Sequence, residues 1–128
     1  MDNNNRKIEA LRLIDGLDVD FGLKTIANMT AAYLRVLGTL VASQRRDKDL
    51  LANQLDENDI ESFRTSIHGA KSALSNIGAF KVSELAQELE DAAADNDRAT
   101  IEAKLPAFKE SVTTLTESIA KVLDLLGN

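Results

Sequence analysis

The chain holds one histidine, His68, and no cysteine, so nucleophilic chemistry that needs an imidazole or a thiolate converges on a single position. His68 stands in SIHGAKSALSNIGA, residues 66–79, with Arg64 one turn before it and Lys71 three residues after it. Ser72 and Ser75 follow at plus four and plus seven. An imidazole with an ordinary pKa near about 6.5 is mostly neutral at physiological pH, so one ring nitrogen keeps a lone pair that can attack phosphorus. A phosphorylated ring gains negative charge. A lysine or arginine one turn away offsets part of it, each charge-assisted hydrogen bond contributing roughly 1–3 kcal/mol. The chemistry these residue types suggest is covalent carriage of a phosphoryl group.

Access to the ring depends on the helix that carries it. Ile60, Phe63, Ile67, Ala70, Leu74 and Ile77 recur every three or four residues, the signature of one buried helix face. At 100° per residue, His68 lies about 130° from the centre of that stripe, on or near the solvent side. This argues against a satisfied core histidine. Gly69 follows at once, although glycine in a helix interior costs on the order of 1 kcal/mol relative to alanine. Its missing side chain leaves a docking protein unobstructed; the plainer alternative is a glycine tolerated in an otherwise stable helix.

The surrounding elements read as all-helical, because one proline and six glycines leave little turn chemistry for a β-protein. A helix is expected over residues 7–14, then a short one capped by Asp18 and containing Phe21, Leu23 and Ile26. A longer helix is expected from Thr30, with Tyr33, Leu34, Leu37, Leu40 and Val41 on one side. It should continue through the charged run QRRDKD, read as a solvated face, to Leu50, Leu51 and Leu55. DEND, residues 56–59, interrupts the pattern, and Asn58 or Asp59 is suited to cap the His68 helix. Asn76 and Gly78 should end that helix, Gly78 in the left-handed position after the last turn. The next helix is expected over 81–94, with Val82, Leu85, Leu89 and Ala92 inward, and a turn over 95–97.

The last element carries Leu105, Phe108, Val112, Leu115, Ile119, Val122 and Leu126, a seam packed lengthwise. Pro106 either begins this helix or kinks a longer one. The expectation is an all-α, antiparallel four-helix bundle with one or two short N-terminal helices. It forms a single domain over 1–128, with 1–6 flexible and the bundle core at about 30–126.

Composition narrows the function classes. A net charge of −6, from 21 acidic and 15 basic residues, disfavours nucleic acid as a partner, and aromatic residues for base stacking are scarce. Without cysteine and with one histidine there is no disulfide, no thiolate metal site and no histidine-based zinc site. No apolar run approaches the roughly 18 residues of a membrane span, and MDNNNRK lacks a signal-peptide core. A cytoplasmic setting and a monomer are expected. There is no glycine-rich nucleotide loop, so no self-phosphorylation from ATP is expected.

HGAKSALSNIGAFKVSELAQELEDAA, from His68 onward, resembles the signature of histidine-containing phosphotransfer (HPt) domains of two-component phosphorelays, approximately H-x-L-K-G-S/A-x-x-x-L/I-G-A. His68 matches the phosphorylated histidine and Lys71 the lysine that accompanies the phosphoryl group. Ile77, Gly78 and Ala79 match the helix end, and Leu85, Leu89 and Glu90 the following helix. DGLDVDFGLKTIANMTAAYLRVL resembles the family's opening, so the likeness covers essentially the whole chain. Ser72 stands where a glycine is usual, and Ala70 where a larger apolar residue precedes the lysine.

The resemblance implies that His68 accepts a phosphoryl group from a receiver-domain aspartate, or from a histidine kinase, and passes it to a response-regulator aspartate. The implied partners are response-regulator receiver domains and a hybrid sensor histidine kinase. It implies no cofactor on this chain, the receiver supplying Mg²⁺. Arg64, Gly69, Ser72 and Ser75 are then candidates for the docking face. Gln87 lies on the neighbouring helix with its reach to the imidazole left open, and Asn76 serves as a hydrogen-bonding group or a cap.

Three other readings compete. The dimerisation domain of sensor kinases carries H-E-hydrophobic-R/K-T/N-P, whereas glycine follows His68 here and no proline is near. A hydrolase with His68 as base beside Ser72 or Ser75 lacks a third convergent group and a pocket. A helical-bundle adaptor or inhibitor, docking on two-component proteins without carrying phosphate, is the alternative that the His68–Lys71 pair argues against.

Overall fold

The computed structural model describes residues 2–125. Asp2 accepts a hydrogen bond from the Asn5 N–H at 2.8 Å and opens α1 (Asn3–Leu11), which buries Ile8 and Leu11. Residues 3–6, expected to be flexible, are thus the first turn of a capped helix, which starts four residues and ends three residues earlier than its apolar pattern suggested. Ile14 falls in the turn that follows, beyond the helix. Asp18 caps α2 (Val19–Thr25) as expected, accepting from the Phe21 N–H at 3.1 Å. Ile26, expected inside this helix, is its C-cap.

α3 (Thr30–Arg46) buries Ala32, Tyr33, Leu34, Leu37 and Val41. It does not continue to Leu55. The chain leaves the helix at Asp47, whose side chain turns back to take two hydrogen bonds from Arg46 at 3.0 and 3.1 Å, and a separate α4 (Leu50–Asp56) follows. From Asp47 to Asp49 every side chain is charged, and no apolar side chain holds this stretch to the core, so it has no packing that would keep it helical.

Asp59 caps α5 (Ile60–Asn76) by accepting from the Ser62 N–H at 3.1 Å. α6 (Phe80–Ala94) follows after a three-residue turn, and Asp97 accepts from the Thr100 N–H at 3.2 Å at the start of α7 (Arg98–Leu125). Pro106 lies inside α7, which is one helix through it, so the start at Pro106 is set aside. Its ring is on the exposed side, between the buried Leu105 and Phe108. Leu126, expected in the seam of this helix, lies outside the described residues.

α3, α5, α6 and α7 form an antiparallel four-helix bundle, with α1 packed against α3 and α7 and α2 against α3 and α5. Leu37, Phe63, Ile67, Leu89, Ile101 and Ile119 form its fully enclosed centre. α5 and α6 are the most extensively packed pair, followed by α6 with α7 and α3 with α7. α3 and α5 are splayed, leaving between them a largely apolar groove of about 850 Å³ walled by residues such as Val36, Leu40, Leu51 and Ala73. No single helix among the described residues is long and apolar enough to cross a membrane.

Candidate functional site

The turn between α5 and α6 determines which side chains of the two helices meet. Gly78 has φ +91°, the left-handed conformation expected of it, and the Ala79 N–H closes the helix end on the Leu74 carbonyl at 2.9 Å. The turn is held from outside as well. Asp18 N–H donates to the Gly78 carbonyl at 2.9 Å, and the buried Tyr33 hydroxyl donates to the Ile77 carbonyl at 3.0 Å. Burial, helped by the charge of Asp18, pushes the Tyr33 phenol up to about 12, so it remains a neutral donor. Gly22 of α2 packs so closely here that a Cβ on it would stand 2.4 Å from the Tyr33 ring and 2.5 Å from the Ile77 carbonyl oxygen.

This anchoring gives the hairpin a mirror register about Ala79. Ser75 and Ser83, four residues on either side, share a short hydroxyl–hydroxyl hydrogen bond, and Ser83 also donates to the Lys71 carbonyl at 3.3 Å. Two helical turns further out, eleven residues on either side of Ala79, stand His68 and Glu90. His68 Nδ1 lies 2.7 Å from Glu90 Oε2, and Lys71 Nζ donates to Glu90 Oε1 at 3.0 Å. The His68 side chain is 61% exposed, whereas those of Lys71 and Glu90 are 21% and 15% exposed. An open ring therefore sits on a largely enclosed ionic base.

Burial pushes the Glu90 carboxyl up, but the hydrogen bonds from Lys71 and His68 and their charges outweigh it and leave Glu90 below the ordinary carboxylate value. An ionised carboxylate only accepts. The proton in the His68–Glu90 hydrogen bond therefore belongs to Nδ1, and the lone pair of the neutral ring is on Nε2. Such an arrangement can perform nucleophilic substitution at an electrophile brought to the exposed ring, with an ammonium on the same face to meet developing negative charge.

The other candidates divide. Arg64 is exposed one turn before His68 and makes no ion pair among the described residues. Ser72 is exposed on the same helix. A Cβ placed on Gly69 would meet nothing within 4 Å, and Gly69 borders the α3–α5 groove. Ser75 turns inward to α6, against the expectation of a docking role, because the Ser83 hydroxyl directly opposite offers it a partner. Gln87 donates to Asp91 along its own helix at 2.8 Å rather than to the imidazole. The main chain of Asn76 accepts from the Thr25 hydroxyl at 2.9 Å, and Ile77 is the C-cap of α5. Glu90, which the family resemblance places only in the following helix, is the functional side chain whose role reasoning from the sequence missed. Counting out from Ala79, eleven residues back to His68 and eleven forward, would have pointed to it.

The Hpt domain family model matches residues 35–124, from the first turns of α3 to the end of α7, with His68, Lys71 and Glu90 inside the match. The chain belongs to the Hpt domain family. Curated proteins and solved structures give no match. Hpt domains are helical bundles that carry out histidine phosphotransfer in phosphorelays and interact with two-component receiver and kinase proteins. The bundle and the outward imidazole described above agree with that membership.

Proposed function

We propose that His68 is the phosphoacceptor of this Hpt domain, taking a phosphoryl group from a receiver-domain aspartyl phosphate or a histidine kinase and giving it to a response-regulator aspartate. The observation that carries this reading is the exposed ring whose Nδ1 is occupied by Glu90, leaving Nε2 as the nucleophile. In the forward step the Nε2 lone pair attacks phosphorus, the bond from phosphorus to the carboxylate oxygen breaks, and the aspartate leaves as a carboxylate. Lys71 has three N–H donors, so it can hold Glu90 and turn another hydrogen toward a phosphoryl oxygen. Arg64, Gly69 and Ser72 form the approach on the outer side of α5.

Both oxygens of Glu90 are engaged by His68 and Lys71, and among the described residues it is the one carboxylate bonded to the ring, a donor set that does not suit a divalent cation. We therefore assign Mg²⁺ to the receiver, whose own acidic residues would hold it. Replacing His68 with glutamine should abolish label uptake from a phosphorylated receiver while leaving helicity and the unfolding midpoint close to wild type. Acid-labile phosphate on the glutamine variant would show the wrong residue has been assigned. Absence of uptake by wild type from every receiver tested would favour an adaptor that docks without carrying phosphate.

A further inference from the structure

Independently of phosphotransfer, we propose that the groove between α3 and α5 binds a free single-chain carboxylate of the fatty-acid type, with its head group on Arg35. The shape of the groove suits a chain. From Arg35 to Asp47 it follows about 18 Å of α3, at a rise of about 1.5 Å per residue. Leu74 of α5 and Phe108 and Val112 of α7, all buried, form its floor, and Val36, Leu40 and Ala73 its sides. Val36 is nevertheless 41% exposed, so apolar surface is left in water that a hydrocarbon chain would cover. The volume of about 850 Å³ falls within the roughly 300–1,000 Å³ of small-molecule sites.

The charges determine what kind of chain. Of the three arginines of α3, Arg45 donates to Glu117 at 2.9 and 3.1 Å, and Arg46 to Asp47 at 3.0 and 3.1 Å. Arg35 lines the groove, and among the described residues its guanidinium makes no hydrogen bond or ion pair. Asp47, the one acidic residue along the groove among the described residues, is already engaged by Arg46. The groove thus combines an apolar trough with one unpaired cation, whose planar fork matches a carboxylate. A second copy of the chain would meet this surface with the same surface about a twofold axis, and so would bring Arg35 no unengaged carboxylate from the groove. An anionic membrane surface would repel a chain of net charge −6. A small apolar anion escapes both objections.

The test titrates the full chain with decanoate, octanoate and decanol, read by calorimetry and by methyl NMR. Decanoate should shift the methyl signals of Val36, Leu40 and Ala73. Octanoate, two methylenes shorter, should bind roughly fifteenfold more weakly. Arg35→Gln should weaken decanoate about tenfold and leave decanol unchanged. Ala73→Leu, which fills the groove from an exposed position, should abolish binding of both. Absence of binding by wild type, equal affinity for decanol and decanoate, or decanoate binding that survives Ala73→Leu would overturn the inference. So would shifts confined to another exposed apolar surface, such as Phe21 and Phe80. A dimer in sedimentation equilibrium with contacts between copies at the groove methyls would give the site to a second copy. Binding to phosphatidylglycerol vesicles but never to monomeric decanoate would give it to a membrane. Either result would overturn the inference too.

Discussion

α5 has two contrasting sides. Toward α6 it is closed by apolar packing, by the Ser75–Ser83 bond and by the ionic group of His68, Lys71 and Glu90. Toward α3 it stands away from its neighbour, with Ala70 and Ala73 bordering an open apolar groove. The difference shows where precision is needed. A ring nitrogen that must present one particular tautomer requires a partner held to a fraction of an ångström, and only the anchored hairpin supplies that. The open side contributes little to placing the ring.

The largest effects should separate these two sides. Leu89→Ala, at a fully enclosed position of α6, should lower stability by about 2–5 kcal/mol in urea unfolding. Leu50→Ala, at a groove-side position that is 42% exposed, should change it by no more than about 0.5 kcal/mol. Comparable losses would mean that the groove is closed in solution. At the turn, Gly78→Ala combines a left-handed backbone with a Cβ placed 2.1 Å from the Asp18 carbonyl oxygen, and about 3 kcal/mol should be lost. Because the same turn sets the register of His68 and Glu90, phosphoryl uptake should fall in this variant even where it remains folded.

Glu90→Gln should cost on the order of 1 kcal/mol at neutral pH. The pH dependence follows from the direction of the Glu90 shift. Its value in the folded protein lies below the ordinary 4.5, so its contribution is fully present above that pH and disappears as the pH falls through the folded value. The stability gap between wild type and Glu90→Gln should therefore close on acidification from pH 5 to 3, measured by urea melts. A gap that persists at pH 3 would assign it to packing instead of charge.

The smallest effect has the opposite sign. Gly69→Ala places a methyl group in open space and should stabilise the helix by about 0.5–1 kcal/mol while slowing transfer from a receiver. Unchanged transfer would mean that Gly69 is simply tolerated and that the outer side of α5 is not approached closely.

Much of this organisation is legible along the chain because it is local. The outward direction of His68 follows from the apolar spacing between Ile60 and Ile77, the starts at Asp18 and Asp59 from capping chemistry, and the end at Gly78 from its freedom at positive φ. What escapes such reading depends on how two helices are set against each other. Glu90 is 22 residues from His68, and its role appears only once Tyr33, Asp18 and Gly22 have pinned the turn between them. Ser75 shares a helix face with His68, yet it is drawn inward by Ser83. The break at Asp47 was hidden because the apolar spacing resumes at Leu50 as though no interruption had occurred.

With one histidine in the chain, the ring nitrogens of His68 can be observed without ambiguity by ¹⁵N and ³¹P NMR of the protein charged by a phosphorylated receiver. The expected result is phosphorus coupled to Nε2, with Nδ1 protonated. Phosphorus on Nδ1, or a phosphorylated protein whose imidazole signals do not change, would contradict it.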